Sequence, residues 1–340
     1  MRRRGFLAAM AGLGLLRSAG LSAAQRGAWS ADELPALRGP LTVYLGRGEG
    51  GLYEDVIQAI RERNPELELK MRRGPSAALA NTIVAEAQAG VRRADLFWAI
   101  DAGSLGRVTG EGIAQPVPDT LSAALKPEFR NRQWVAVSGR LRTVPYNPSR
   151  LRPRQIPDGI MAFPEAEFSV GWAPAYGAFQ SFITAMRLLE GEQRTRRWLL
   201  AMKPRATTYA GEFGVVMATA RGEVDLGFAN HYYTLRLKKG MPEAAVELAL
   251  TRNDAGSLVN ASGVALLSDA ATARDFVRYL LSREVQSYLA REAYELPLVE
   301  GVPAPQGLPP ADQIDPPALD LTALADLRPT LELLRETGVL

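Results

Sequence analysis

Hydrophobic and polar positions recur along this chain at two alternating periods. Leu41-Thr42-Val43-Tyr44-Leu45 reads as a strand. Leu52, Val56, Ile57 and Ile60 then fall on one face of a helix from Leu52 to Arg63, which Asn64-Pro65 ends. Leu67, Leu69 and Met71 alternate with Glu68 and Lys70 as a second strand, and residues 76–89 form a helix rich in small residues. Ala94-Asp95-Leu96-Phe97-Trp98 is a third strand, and Asp101-Ala102-Gly103-Ser104 opens the next helix. This β-α-β-α order predicts an α/β fold with a largely parallel sheet and helices on both faces.

Two stretches break the rhythm. Residues 133–146 and 257–267 are extended throughout, and the first is too long for a strand of ordinary length. Two such strands with small residues inside them suit a pair of lobes joined by a hinge. Between them lies a second α/β segment. Ser169-Val170-Gly171-Trp172 is a strand, followed by a turn and a helix with Phe179, Phe182, Ile183 and Met186 on one face. Backbone N–H groups of Gly177 and Ala178 at that helix opening would form an anion site. A further helix runs to Ala201, Pro204 breaks it, and another helix lies near residues 215–220. Residues 271–288 are expected as one helix, residues 301–318 as a proline-rich strap, and 329–336 as a short closing helix.

The N-terminus is of a different kind. Arg2, Arg3 and Arg4 precede a small apolar run, residues 8–16, and the small residues Ser22-Ala23-Ala24, which together read as an export signal. Arg3-Arg4-Gly5-Phe6-Leu7 is similar to the twin-arginine signal, a route for folded proteins. Residues 1–24 hold four arginines and no acid, so their removal takes the formal net charge from +3 to −1. No basic footprint for nucleic acid remains. The chain has no cysteine and one histidine, His231. That excludes disulfides, thiolate metal sites and histidine-rich zinc or copper sites, and leaves a Ser-His-Asp triad dependent on one residue. No Gly-x-Ser-x-Gly elbow is present.

The apolar run Val224-Asp225-Leu226-Gly227-Phe228-Ala229 reads as a buried strand that hands over through Asn230-His231-Tyr232-Tyr233 to a helix opening at Thr234. In α/β proteins ligands bind at that edge. The two tyrosines are either aromatic packing at a helix start or hard oxygen donors for a strongly charged cation such as ferric iron. A glycine-rich turn, Gly46-Arg47-Gly48-Glu49-Gly50-Gly51, lacks the spacing of a dinucleotide fingerprint. Arg47 within it is either an anion holder or a surface residue in a flexible turn.

From about Leu41 onward the chain resembles the periplasmic ferric-ion-binding proteins of bacterial ABC iron importers. The resemblance rests on Val43-Tyr44-Leu45-Gly46-Arg47, Ala94-Asp95-Leu96-Phe97-Trp98, Ser138-Gly139-Arg140 leading to Tyr146-Asn147, and Gly171-Trp172-Ala173-Pro174. It continues through Gly177-Ala178-Phe179, Gly222-Glu223-Val224-Asp225 leading to Asn230-His231-Tyr232-Tyr233, Asp254-Ala255-Gly256-Ser257-Leu258-Val259, and Tyr294-Glu295-Leu296-Pro297-Leu298. It implies a two-lobed periplasmic-binding-protein fold of type II, hinged by crossing strands. Residues 1–24 are then the export signal and 25–38 a linker. Residues 39–138 with 262–298 form an N-terminal lobe, and 139–261 with 299–340 a C-terminal lobe. It implies a non-enzymatic, monomeric carrier of a small inorganic ligand, located in the periplasm and served by an ABC permease and its ATPase.

By the same resemblance Tyr146, Tyr232 and Tyr233 are ferric ligands. A synergistic anion, carbonate or phosphate, is held by Gly177 and Ala178 with Asn230, and Arg47 and Arg140 offset phenolate and anion charge. Family members with a histidine and an acidic ligand carry them where this chain has Gly48 and Ile100. The expected mode is therefore tyrosine plus anion. Two departures stand at the anion: Tyr176 replaces the usual small hydroxyl or amide, and Glu212 replaces an asparagine. Tyr176 is either a fourth phenolate or a filler of the anion pocket. Glu212 either repels the anion or replaces it as an extra iron ligand. Rival readings are the same fold binding an organic or phosphorylated anion without metal, a ligand-sensing periplasmic protein, and a metal-dependent hydrolase.

Overall fold

A computed structural model describes residues 28–46, 52–309 and 313–340. The export signal, Arg47 and the rest of the glycine-rich turn through Gly51 lie outside the described residues. The chain divides into two compact units, one reaching to Gly139 and resuming over Ala261–Pro305, the other comprising Arg140–Asn260 and Gln306–Leu340.

In the first unit the strands are β1 (Gly39–Gly46), β2 (Leu67–Gly74) and β3 (Leu96–Ala99), all parallel, in the order β2-β1-β3. Helices α1 (Leu52–Arg63), α2 (Ser76–Gln88) and α3 (Ala102–Thr109) follow them in turn. Each boundary has a local cause. Asp101 caps α3 by accepting the Ser104 N–H at 2.7 Å. The Asn64 side chain ends α1, donating to the Ile60 carbonyl and accepting the Leu37 N–H. Leu96, Phe97 and Trp98 are wholly buried, as a strand covered on both faces requires.

Residues 28–38, expected as a linker, are packed where described. Ala31 and Leu37 are buried, the Ala28 N–H donates to the Glu300 carbonyl, and the Ala31 N–H donates to Glu284 at 2.8 Å. The expected lobe boundary at 298/299 also moves, to follow Pro305. Val299 bridges Leu125, and the Glu300 N–H donates to the Ala124 carbonyl, which keeps that stretch with the first unit.

The chain passes between the units within β4 (Val135–Tyr146) and returns within β10 (Val259–Leu266). In the second unit β4 is followed by β5 (Val170–Trp172), α4 (Gly177–Glu190), α5 (Glu192–Met202) and β6 (Ala206–Thr208). Next come α6 (Glu212–Ala220), β7 (Leu226–Gly227), β8 (Ala229–Asn230), α7 (His231–Gly240) and β9 (Glu247–Ala249). The strand order is β4-β7-β5-β6, with β8 and β9 also antiparallel to β4. The core is aromatic. Phe182 and Phe228 lie 5.6 Å apart between ring centres, Trp198 lies 5.5 Å from Phe228, and Phe179 meets Trp172 edge-on at 5.7 Å. Gly227 is required where α6 crosses the sheet, because a Cβ there would stand 2.3 Å from Val215 Cγ1 and 3.0 Å from the Gly171 carbonyl.

Two helices differ from expectation. Residues 271–288 form α8 (Ala271–Leu280) and α9 (Arg283–Tyr288), because the Ser282 hydroxyl caps a new helix by accepting the Val285 N–H. Helix α7 opens at His231, not Thr234, so both tyrosines stand in its first turn.

Candidate metal site

The phenols gather at the openings of two helices in the second unit. Asn230 is the N-cap of α7, and Tyr232 and Tyr233 follow with rings 4.4 Å apart at 51°. Tyr176 is the N-cap of α4, and its hydroxyl lies 2.7 Å from that of Tyr233. Three phenols thus meet from positions separated by more than fifty residues. Tyr232 and Tyr233 are buried and Tyr176 is half-buried. The Asn230 side-chain amide donates to the Tyr232 hydroxyl at 3.3 Å. Arg236, one turn along α7, places its guanidinium carbon 4.7 Å from the Tyr232 ring centre.

Beneath the phenols the supports are buried and polar. His231 is fully buried, and its Nδ1 accepts the Leu141 N–H of β4 at 3.1 Å, which ties the first turn of α7 to the sheet. Glu212, the first residue of α6, is also fully buried. One carboxylate oxygen takes the Arg142 guanidinium at 2.5 Å and the other accepts the Asn230 N–H at 2.8 Å. The Arg142 guanidinium also lies 5.3 Å from the Phe182 ring centre.

This geometry changes the expected ligand set. Tyr146 is not brought to the pair. It stands opposite Leu226 and Glu247, four residues along β4 from Arg142, which stands opposite Asn230. That is a separation of about 13 Å at the rise of a strand. Its ring belongs to the apolar core with Val144, Phe163 and Leu226, and burial together with Glu247 raises its pKa above the usual tyrosine value. Tyr176, not Tyr146, is the third phenol gathered at the helix openings. Glu212 has both carboxylate oxygens engaged, one by Arg142 and the other by the Asn230 N–H.

Of the expected anion holders, Gly177 and Ala178 open α4 directly after Tyr176, and a Cβ on Gly177 would meet nothing within 4 Å. First-turn N–H groups have no partner within their own helix. Arg140 is partly exposed on the same face of β4 as Arg142. Three residues escaped the sequence reading. Arg236 was signalled by its i, i+4 spacing from Tyr232, but its basic neighbours Lys238 and Lys239 give the run the look of a solvated face. Phe213, nearly half exposed, stands 6.3 Å from the Tyr233 ring. Arg142 is the partner that makes a buried Glu212 tolerable.

A two-unit α/β chain with a tight polar cluster at helix openings is built to hold a small solute. The chain belongs to the family described as bacterial extracellular solute-binding protein, matched over residues 41–295. Such a protein carries its ligand and does not convert it. It is 27% identical over 320 residues to the major ferric iron-binding protein of Neisseria meningitidis serogroup B, covering 90% of this chain and 94% of that one. The Fe(3+)-binding periplasmic protein of Serratia marcescens is 27% identical over 285 residues, covering 81% of this chain and 83% of that one. Among solved structures, iron-bound HitA from Pseudomonas aeruginosa superposes with a TM-score of 0.77 at 27% identity, over 89% of this chain and all of that one.

Proposed function

We propose that this protein captures ferric iron in the periplasm and delivers it to the permease of an ABC importer. The observation that carries the reading is the gathering of Tyr176, Tyr232 and Tyr233, with the Tyr176 and Tyr233 hydroxyls 2.7 Å apart. Phenolates are hard, anionic donors, and a hard trivalent cation is strong enough a Lewis acid to displace their protons near neutral pH. The relatives in Neisseria and Serratia are ferric-binding by name, which supports the same cargo here.

A small anion, carbonate or phosphate, completes the iron's coordination. Gly177 and Ala178 hold it through their N–H groups at the positive end of α4, and the Asn230 amide assists. Arg140 and Arg236 offset the negative charge of phenolates and anion. Export follows the twin-arginine route, and the mature protein acts as a monomer on a permease driven by its ATPase.

The test is a visible absorption spectrum of the purified mature protein, iron-free and then with ferric citrate and bicarbonate. The expected result is a new charge-transfer band that Tyr232→Phe abolishes. A folded protein that develops no band would leave the metal-free anion reading in its place.

A further inference from the structure

We propose that the buried Arg142–Glu212 ion pair is a positioning device for the iron site. On this reading it fixes Asn230 so that the Asn230 amide meets the Tyr232 phenol oxygen. The inference rests on the ferric reading above and adds two residues to it that touch neither iron nor anion.

The strand pairing shows why an acceptor is needed. Arg142 of β4 and Asn230 of β8 stand opposite each other, yet their N–H groups point elsewhere. That of Arg142 goes to the Leu258 carbonyl at 2.8 Å and that of Asn230 to Glu212 at 2.8 Å. The Glu212 carboxylate therefore stands where a neighbouring strand's carbonyl would otherwise be. A buried N–H without an acceptor is costly, so the backbone at Asn230 is held to the conformation that reaches Glu212.

The same residue is the N-cap of α7, but its side chain does not cap the helix. It reaches over the first turn to the Tyr232 hydroxyl at 3.3 Å. An amide donor at that distance fixes the direction of the phenol oxygen. Three elements are thereby locked to one another: β4 through Arg142, α6 through Glu212, and the opening of α7 through Asn230.

Charge explains why the acceptor comes with an arginine. A lone carboxylate buried beneath the phenols would have its desolvation unsupported. Arg142, itself buried and seated beside Phe182, makes the unit neutral. Stability alone does not account for the pair, since buried ion pairs replaced by apolar side chains of similar volume often lose nothing. Its particular contribution is an anchored acceptor of defined direction.

Two double variants separate positioning from packing. Arg142→Met with Glu212→Met removes the pair without leaving a lone charge. Arg142→Met with Glu212→Gln also removes the charges but keeps an acceptor for the Asn230 N–H. The first is expected to weaken ferric binding roughly 10–100-fold and to shift the phenolate band, and the second to recover most of both. Thermal melts by circular dichroism report the fold of each. Parental binding by the first, or equal losses in both, would overturn the proposal. Asn230→Ala, which leaves the pair intact, should reproduce the band shift, and an unchanged band in that variant would also overturn it. Exchange of the Asn230 amide hydrogen gives a readout without iron. It should be protected in the parent and the Gln variant and fast in the Met variant. A parent without any band would refute the ferric reading, while amide exchange would still decide the positioning claim.

Discussion

A hydrogen bond between the hydroxyls of Tyr176 and Tyr233 holds two oxygens 2.7 Å apart in a half-buried place. A ferric ion that displaces protons from these phenols finds its donors already gathered, so little ordering remains to oppose binding. This separates the two candidates for third donor. Tyr176→Phe should weaken ferric binding by at least about a hundredfold, because a direct donor is lost where even its supports matter 10–100-fold. Tyr146→Phe should leave affinity and band position alone, since that residue belongs to the apolar core of the second unit. Titrating both variants with ferric citrate under visible absorption decides between them, and equal loss in both would restore Tyr146 to the site. The adjacent pair was readable from residue chemistry because two phenols in sequence at a strand exit are conspicuous. Tyr176 was legible only through the family resemblance, as a fourth phenolate or a filler of the anion pocket, because its meeting with Tyr233 depends on how two helix openings are placed across more than fifty residues. The partners of Glu212 were hidden for a related reason: only the fold shows Arg142 beside it.

Among the elements, helices with both ends marked were legible to within a residue or two, as α1 and α2 show. Failures fell at caps. A serine hydroxyl splits residues 271–288 at Ser282, and α7 begins three residues early because Asn230 already has N-cap geometry. Strand β7 is short and owes its place to a side chain outside it. Asp225, just before it, accepts from the Ser169 N–H and hydroxyl and pairs with Arg150. Burial works against its ionised form, but Ser169 and Arg150 outweigh that and leave its pKa below the ordinary value. The stabilisation therefore exists above the unfolded pKa of about 4 and is lost as pH falls through the lower folded value. Asp225→Asn should cost about 1–2 kcal/mol at pH 7, held to that by the half-exposed Arg150, and progressively less below pH 4. Urea unfolding of parent and variant at pH 7 and pH 3 measures this, and a deficit that persists undiminished at pH 3 would remove the charge from the explanation.

For the molecule as a whole, the alternation of strands and helices and the two long crossing strands announced a two-part α/β chain. The packed segment before β1 and the late passage after Pro305 were not announced, because single hydrogen bonds to Glu284, Glu300 and Ala124 decide them and carry no periodic signal. What the whole protein exchanges with solution follows from the donor set. Free tyrosine titrates near pH 10, so each phenol that becomes an iron ligand at pH 7 releases about one proton. The carrier chelate and the anion release or take up protons too, but these contributions are common to parent and variant. Loading the parent should therefore release about one more proton per iron than loading Tyr176→Phe at saturating ferric chelate, and ferric affinity should rise more steeply with pH in the parent. A weakly buffered titration with a pH indicator, run beside the visible band so that only bound iron is counted, reads the difference directly. A difference of zero would mean that Tyr176 keeps its proton and serves the anion, leaving Tyr232 and Tyr233 as the only phenolates of this trio. A difference of one makes the half-buried Tyr176 hydroxyl a third ligand, and the charge of the ferric ion is then balanced by three phenolates before any anion binds.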